Sequence, residues 1–358
     1  DQFEILVVDN NSPDATASAV QQEFPEVRLF QMRSNYGSCA KNLAIIQSRG
    51  RYVVFLDDDS YPLPGSTARM IERFEADKEL GAAIFTITLP GGARECSAYP
   101  DVFIGCGTGF RREALVEVGG LPNDFFMQAE EYDLSLRLMQ AGWKLQTFDD
   151  LHVTHLKTPQ ARYSWRTMRL DVRNNFTVAI RYFPQQWKKQ YTWDWMRRYY
   201  LIAAQRGQRL AFFTGILQGL ARAMFSNREP ISDETFEQLT KARQIEQKMA
   251  EMIEQFSVHQ LLLIDYGKNI LPYYLAAQKC GLEIVAIADD RLVGREYHGI
   301  PIVNDSIARR LDFDAALISN LSTVHAAQRL QSWRAIEDRP VIDLFEMQTQ
   351  PIHQKMAA

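Results

Sequence analysis

The sequence has few cysteines and no long hydrophobic run, and both scarcities narrow the class of protein. Its 358 residues include four cysteines, none in a CxxC or other metal-ligand spacing, so we expect a reducing compartment, the cytoplasm. The longest nearly apolar stretch, residues 210–225, contains Gln218 and Arg222. It is shorter than the roughly 18 residues that a membrane span needs. No signal peptide is visible at the start of the sequence.

Acidic residues are scarce in one part of the chain, although the net charge of −4 is ordinary. Residues 162–228 contain thirteen Arg or Lys against two acids, and many aromatic residues. One interpretation is peripheral contact of residues 160–225 with an anionic membrane, on its inner face. The alternative is a helical subdomain that packs on the rest of the protein or on another subunit, as in an oligomer. We expect no nucleic-acid partner, because basic and aromatic composition is the single feature that favours one.

Strand-like and helix-like segments alternate along most of the chain, which predicts an α/β fold. Short apolar strands separated by helices indicate a mostly parallel sheet covered by helices on both faces. A mainly helical stretch follows, and the strand–helix alternation then returns. We therefore predict an α/β domain, a helical basic and aromatic region, and a small second α/β domain, with the bounds 1–158, 159–256 and 257–358.

Three consecutive acids, Asp57, Asp58 and Asp59, follow a predicted apolar strand at residues 51–56. Ligands of open α/β sheets bind at the carboxyl ends of the strands. Like charges side by side repel unless a cation offsets them, and Mg²⁺ or Mn²⁺ binds one or two carboxylates together with substrate phosphates. Alternation along a strand would point Asp57 and Asp59 to one side and Asp58 to the other. A solvated acidic turn is the alternative that the residues alone leave open.

Six segments in the same order resemble family 2 glycosyltransferases of the GT-A fold. Asp57-Asp58-Asp59 takes the place of the family's DxD motif, and Glu130-Glu131-Tyr132-Asp133 that of its ED-type motif. The resemblance covers roughly residues 3–160, in the segments 4–16, 35–42, 55–59, 105–121, 130–143 and 153–155. It implies an inverting transferase that moves a sugar from a nucleotide-diphosphate donor to a hydroxyl of a glycan or lipid-linked acceptor, in bacterial surface polysaccharide synthesis. Because the chain enters a strand at once, we expect the family's first strand to be absent from it.

The resemblance also implies roles for individual residues, with Mn²⁺ or Mg²⁺ as the cofactor. Glu131 would be the catalytic base, and Asp57, Asp59 and His155 would bind the metal. The residues implied to bind the nucleotide sugar are Asp9, Asn11, Asn35, Gly37, Lys41, Asn42, Asp57 and Asp58. Those implied on the acceptor side are Gly107, Thr108, Arg111, Glu130 and Asp133.

Several of these roles have competing explanations. Glu130 competes with Glu131 as the base, and both could instead stabilise a helix N-terminus. Asp9 could be a helix-entry residue, and His152 lies close enough in sequence to compete with His155. We expect Cys106 to serve in packing or in lining the acceptor pocket.

Residues 257–358 weakly resemble the Rossmann-like domains attached to sugar-modifying enzymes. Their phosphate loop, at residues 264–270, keeps one glycine where a dinucleotide site needs three, and Asp265 would repel a pyrophosphate. We therefore predict no NAD here, and expect the domain to hold a partner or complete an interface. The alternatives for the whole chain are a non-catalytic nucleotide- or glycan-binding module, a nucleotidyltransferase and an oxidoreductase. A nucleotidyltransferase usually begins with a Gly-rich basic loop, which this sequence lacks.

Overall fold

The computed structural model describes residues 3–157 and 164–347. The chain divides into two compact units, Asp1–Leu239 and Thr240–Ala358. The helices from residue 164 to residue 239 belong to the first unit, so the helical stretch that we predicted as a separate domain is split between the two units. Within the described ranges, no helix combines the length and the apolar character that crossing a membrane requires.

The first unit contains eight strands and nine α-helices in its described part. The strands are β1 (Leu6–Asp9), β2 (Arg28–Gln31), β3 (Tyr52–Phe55), β4 (Ser60–Pro62), β5 (Leu80–Thr88), β6 (Arg94–Glu95), β7 (Thr108–Arg111) and β8 (Lys144–His155). The helices are α1 (Thr16–Glu23), α2 (Lys41–Gln47), α3 (Ser66–Ala76), α4 (Arg112–Glu117), α5 (Glu130–Gln140), α6 (Trp165–Tyr182), α7 (Gln185–Gln205), α8 (Arg209–Phe225) and α9 (Asp233–Thr240), whose last residue lies past the boundary.

The sheets of this unit confirm the α/β class but correct one detail of the prediction. β1 and β2 form a parallel pair, while the larger sheet has the order β3-β7-β5-β8-β4, with β6 also paired to β5. Among the described strands of the larger sheet, β5 and β8 form the one parallel pairing and the other pairings are antiparallel, so the sheet is mixed rather than mostly parallel. This detail was wrong because β4, β6 and β7, which pair antiparallel with their neighbours, were not recognised as strands.

The larger sheet is held by the burial of its central strands against α3. All but the last residue of β5 are buried, and Phe74 of α3 is fully buried with Leu151 and Val153 of β8 in the same cluster. Burying an aliphatic or aromatic side chain contributes about 1.5–3 kcal/mol. This core fixes the ends of β3 and β8, which carry the polar residues described below.

Helices α6, α7 and α8 form a layer in which α8 packs closely on α6. A Cβ atom at Gly215 would lie 2.7 Å from the backbone oxygen of Arg169 and 2.8 Å from Cβ of Val172. The helices approach so closely because glycine has no side chain at this crossing. The opposite face of α8 is exposed.

The second unit contains a six-stranded sheet flanked by helices. Its strands are β9 (Gln260–Ile264), β10 (Glu283–Ala288), β11 (Arg295–Tyr297), β12 (Ile300–Val303), β13 (Ala315–Ile318) and β14 (Val341–Ile342). Its helices are α10 (Ala242–Phe256), α11 (Ile270–Lys279), α12 (Asp305–Ala308) and α13 (Thr323–Arg334). The order is β11-β12-β10-β9-β13-β14, and every pair but β11–β12 is parallel. Central β9 is fully buried beyond Gln260, which explains its continuous apolar sequence.

Candidate active site

The three consecutive acids lie in a turn. β3 ends at Phe55, and residues 57–60 turn back into β4, with the Asp57 N–H donating to Ser60 Oγ at 2.9 Å. The side-chain alternation of a strand therefore does not govern these residues. Asp57 and Asp58 are exposed and Asp59 is partly buried, so the structure combines the predicted strand end with the predicted acidic turn.

Lys41 offsets the charge of the first acid. Its Nζ lies 2.7 Å from Asp57 Oδ1 and donates to the Gly105 carbonyl at 3.2 Å. Lys41 is the first residue of α2, so the helix start and the end of β3 meet at this point. The lysine was predicted to bind the nucleotide sugar, and the structure places it beside the acidic turn.

His155 joins the last acid of the turn to a residue that the sequence did not reveal. β4 pairs antiparallel with β8, which sets His155 opposite Ser60. His155 Nε2 lies 3.2 Å from Asp59 Oδ1, and Nδ1 lies 3.0 Å from Glu95 Oε2. The imidazole is almost fully buried, so its orientation is set by these two carboxylates.

Glu95 is the site residue that sequence analysis missed. It lies on β6, opposite Ile87 of β5, and its other oxygen binds Lys157 Nζ at 2.9 Å. β6 has two residues in a polar stretch, and no motif surrounds it. Nothing in the sequence signals that this carboxylate contacts a histidine sixty residues later.

The donor atoms around the turn suit a hard divalent cation. A carboxylate oxygen of Asp57, Cys106 Sγ and a His155 ring nitrogen lie within 4.8 Å of one another, and Asp59 contacts the same imidazole. Burial raises the pKa of the Cys106 thiol to about 12, and the nearby charges of Asp57 and Glu95 raise it too. Thiol sulfur is a soft ligand and matches Mg²⁺ and Mn²⁺ less well than carboxylate oxygen does. Two carboxylates and an imidazole remain, a donor set that fits Mn²⁺ and, less closely, the oxygen-preferring Mg²⁺.

Glu131 reaches the same region from the first turn of α5. A methyl group built on Gly105 would lie 3.8 Å from Glu131 Oε1 and 3.9 Å from Lys41 Nζ, so both side chains face this glycine. Desolvation raises the pKa of Glu131 to about 8, and the adjacent charge of Glu130 contributes. Glu131 keeps some accessible surface, but protein atoms fill most of the volume around its carboxyl group.

Glu130 faces a different neighbour. Desolvation also raises its pKa, while a hydrogen bond from Ser38 lowers it. Its Oε2 is buried and has no hydrogen-bond partner within residues 3–157 and 164–347. The charges of Lys41 and Asp57 act on both glutamates, but Glu131 lies near Gly105, whereas Glu130 accepts from Ser38.

The residues predicted to contact the nucleotide gather around β1 and this loop. Asp9 is mostly buried and accepts from the Ser12 N–H at 3.1 Å, a contact within the turn that follows β1, whereas α1 begins only at Thr16. The side chain of Asn10, which was not singled out, donates to the Gly37 carbonyl at 2.8 Å. The neighbouring Asn11 is exposed and has a positive φ of 66°.

Asn35 and Gly37 shape the loop itself. Asn35 Oδ1 accepts from the Gly37 N–H at 2.9 Å. Gly37 has a φ of +69°, and a Cβ there would lie 1.8 Å from the Phe126 oxygen. Glycine is therefore needed both for the turn and for the contact with the segment before α5.

Several predicted site residues have structural partners instead. Asn42 exchanges 2.8 Å hydrogen bonds with the backbone of Leu121, and Arg111 donates to the carbonyls of Phe74, Asp77 and Leu80 at the far end of β7. The structure does not bring Arg111 to the acidic turn, because β7 pairs antiparallel with β3 and sets Arg111 opposite Tyr52.

The remaining acceptor-side predictions also find partners. Gly107 packs against β5 and β8, and buried Thr108 donates to the Ile104 carbonyl at 2.9 Å. Buried Asp133 contacts Arg137, Arg181 and Tyr182, and lines a cavity of about 330 Å³. His152 is on β8, where its N–H donates to Ser66 Oγ, and it is outside the cluster of metal-compatible groups.

Comparison with known sequences bears on the part of the chain that contains the acidic turn. Residues 1–97 match the profile of Glycosyl transferase family 2. A 75-residue segment is 41% identical to the succinoglycan biosynthesis protein ExoO of Rhizobium meliloti (strain 1021). That segment covers 20% of this chain and 22% of the relative, so the chain matches about a fifth of the length of this curated protein.

Solved structures with a partly similar fold include a mannosyltransferase, PcManGT from Pyrobaculum calidifontis, in complex with GDP-Man and Mn²⁺. It is 22% identical, has a TM-score of 0.42, and 78% of this chain is covered against 77% of that one. TarS of S. aureus is 12% identical with a TM-score of 0.45, covering 77% of this chain and 49% of that one. GalNAc-T7 with UDP, GalNAc and Mn²⁺ is 14% identical with a TM-score of 0.44, covering 63% and 52%. These likenesses are too distant to carry over a function.

Proposed function

We propose that this chain is an inverting, metal-dependent glycosyltransferase of the GT-A type that transfers a sugar from a nucleotide-diphosphate donor to a hydroxyl group. The family profile over residues 1–97 supports the class. The observation that carries the mechanism is the convergence of Glu131 and Lys41 on Gly105, beside the carboxylates of the acidic turn.

Glu131 is the proposed general base. Its carboxylate accepts the proton of the acceptor hydroxyl while that oxygen forms a bond to the anomeric carbon and the bond to the diphosphate oxygen breaks. A pKa raised toward 8 makes the carboxylate a stronger base than an ordinary glutamate. One displacement of this kind inverts the anomeric carbon.

The acidic turn is the proposed diphosphate end of the site. Asp57, Asp59 and His155 would hold Mn²⁺ or Mg²⁺, and Glu95 would orient the imidazole. When bound, the cation supplies Lewis-acid assistance to the departing diphosphate. Lys41 contributes a positive charge beside Asp57, and Asp58 is proposed to face the ribose or solvent, which its exposure supports.

The acceptor is proposed to be a growing glycan or a lipid-linked sugar in bacterial surface polysaccharide synthesis. The similarity to a succinoglycan biosynthesis protein of Rhizobium meliloti supports this class. Such an acceptor supplies the hydroxyl that the proposed base deprotonates.

The test is a panel of nucleotide sugars with Mn²⁺ or Mg²⁺, scored for nucleoside diphosphate release. We expect turnover with at least one donor. This turnover should be lost in EDTA and in Asp59→Asn. The control is Asp149→Asn, at an exposed position. Donor binding without any turnover would instead indicate a non-catalytic binding module. Release of pyrophosphate from a sugar phosphate and a nucleoside triphosphate would indicate a nucleotidyltransferase.

The exposed face of α8 is proposed to contact an anionic membrane. Its exposed apolar side chains follow a three-and-four spacing, at Leu210, Phe213, Leu217, Leu220 and Met224. No acidic residue lies between Asp194 and Glu229, a stretch that contains six arginines. A second copy of this face would bring like charges together, whereas an anionic bilayer complements them.

Vesicle sedimentation tests this surface. We expect the protein to bind vesicles of phosphatidylcholine with phosphatidylglycerol but not pure phosphatidylcholine, and Leu217→Glu to abolish binding. Ile336→Glu is the matched control, because Leu217 and Ile336 are both 67% exposed and Ile336 lies in the other unit. A wild-type dimer that Leu217→Glu dissociates would show that a second copy covers this face.

A further inference from the structure

The segment that leads into α5 has an unusual backbone. Phe126, Gln128 and Ala129 have φ values of 68°, 73° and 64°. Non-glycine residues rarely adopt this left-handed conformation, and three within four positions persist only where the surroundings impose it. We call residues 125–129 the pre-α5 loop. It ends directly at Glu130 and Glu131, so its conformation sets where both carboxylates begin.

One side chain of α6 contacts the backbone of this loop at three points. Asn174 is fully buried, and its Nδ2 donates to the carbonyls of Phe125, Met127 and Gln128 at 3.1, 2.8 and 2.7 Å. Its Oδ1 accepts from Arg173 Nε at 2.7 Å, which fixes the amide orientation. Because the three carbonyls accept from the same amide group, the orientations of the peptide groups between them are fixed.

Other contacts tie the same loop to α6 and to the donor side of the site. The guanidinium of Arg173 also donates to the Phe125 carbonyl, and Arg166 lies 4.4 Å above the Phe126 ring. From the other side, the Ser38 N–H donates to the Phe126 carbonyl at 2.6 Å. The loop is thus held between α6 and the loop before α2.

We infer that Asn174 is a positioning residue for Glu131: it holds the pre-α5 loop in its left-handed conformation and thereby places the carboxylate opposite Gly105. This inference rests on the proposed function for its catalytic consequence. The effect of Asn174 on the conformation of the pre-α5 loop can be tested without measuring activity. It also gives α6, in the basic and aromatic stretch, a role in the catalytic site.

The neighbouring residue provides a matched control. Asn175 has the same chemistry, lies one position later in α6 and is 2% exposed, but its Nδ2 donates to the Asp171 carbonyl within the helix and its side chain also hydrogen-bonds Tyr199 of α7. Asn174→Ala and Asn175→Ala therefore remove similarly buried amides, and the first removes the three hydrogen bonds to the pre-α5 loop. If either alanine variant does not fold, the serine variants at the same two positions replace the pair.

The first measurement is hydrogen exchange of peptides covering residues 125–135, followed by mass spectrometry. We expect faster exchange in Asn174→Ala than in Asn175→Ala when both are compared at the same interval below their melting temperatures. Equal exchange in the two variants would overturn the inference, whether or not the wild type turns over any donor.

The second measurement separates positioning from general damage. In Asn174→Ala we expect kcat to fall on the order of 10²-fold at unchanged donor KM, because a displacement of about 1 Å costs that much. Asn175→Ala should change kcat less than about twofold. Adding Ala129→Gly to Asn174→Ala should restore part of the lost kcat, since glycine adopts φ near 64° without the hydrogen bonds of Asn174. Equal kcat in both single variants would overturn the inference, whereas a wild type that turns over no donor would count against the proposed function alone.

Discussion

At the scale of single residues, the site depends on carboxylates with different neighbours. Asp57 pairs with Lys41 and Asp59 contacts the His155 ring, while Glu131 is desolvated and has a raised pKa. Asp57 and Asp59 are thus suited to binding a cation, and Glu131 is suited to accepting a proton. The environment of each acid, rather than its type, separates the roles.

Glu95 supports the metal site through His155. Glu95→Gln keeps the size of the side chain but removes the charge that fixes the imidazole, so we expect Mn²⁺ affinity to fall about 10–100-fold. The measurement is a Mn²⁺ titration, alone and with a saturating nucleoside diphosphate. Glu79→Gln, an exposed site away from the cluster, should leave the affinity unchanged. Unchanged affinity in Glu95→Gln would show that the Nδ1 contact does not support metal binding.

The residues of the site were predictable where they lie in contiguous motifs. Asp57, Asp59, Glu131 and His155 fall in such motifs, and the structure brings all four to one region. Asn42 and Arg111 lie in equally similar segments, yet their side chains hold backbone carbonyls. A single sequence does not distinguish polar residues that form the site from polar residues that hold the backbone, because both kinds lie in the same motifs.

At the scale of secondary-structure elements, the apolar strands were predictable and the polar ones were not. The apolar runs at residues 51–56, 81–89, 261–264 and 283–288 predict strands, and β3, β5, β9 and β10 agree with these bounds within one residue. β8 carries Asp149, Asp150 and His152, so its sequence does not predict a strand. It is a strand because pairing with β5 on one side and β4 on the other overrides its composition.

At the crossing of α6 and α8, we expect a glycine-to-alanine substitution to lower the stability of the protein rather than raise it. Alanine in place of glycine normally stabilises a helix by about 1 kcal/mol. At Gly215 the new Cβ would lie 2.7 Å from the Arg169 oxygen, so Gly215→Ala should destabilise the protein by about 1–3 kcal/mol.

Denaturant unfolding measures the effect of this substitution. Ala221→Gly, at an exposed position of the same helix, serves as the control and should cost about 1 kcal/mol through helix propensity alone. A more stable Gly215→Ala protein would contradict the close packing of the two helices.

At the scale of the whole molecule, the two units contain different polar clusters at their strand ends. In the second unit, buried Asp265 follows β9 with a φ of 80°, and Arg329 binds it at 2.7 Å while also contacting Asp305. An acid at the end of β9 takes the position where a dinucleotide's pyrophosphate would need amide donors. The weak Rossmann-like resemblance therefore does not extend to the phosphate loop.

This contrast predicts how ligands change thermal stability. A ligand that binds the folded state raises the melting temperature in proportion to its affinity and concentration. We expect the preferred nucleotide sugar with Mn²⁺ to raise it by several degrees, and NADH or NADPH at the same concentration to leave it unchanged. Differential scanning fluorimetry measures both shifts. Stabilisation by a nicotinamide cofactor would support an oxidoreductase and contradict our prediction that the second unit binds no NAD.

The central claim is that Glu131 is the base, and its pH dependence separates it from Glu130. A base must be ionised to accept a proton, so kcat/KM should rise with pH as Glu131 loses its proton. The charge of Glu130 raises the pKa of Glu131, so removing that charge should lower the pKa.

The most direct measurement is therefore the pH profile of acceptor-dependent kcat/KM in the wild type, Glu130→Gln and Glu131→Gln. We predict that the rising limb moves to lower pH in Glu130→Gln. In Glu131→Gln we predict that it vanishes, with kcat lower by about 10²–10⁴-fold. A Glu131→Gln enzyme that keeps the wild-type rate and profile, while Glu130→Gln loses activity, would contradict the account and assign the base to Glu130.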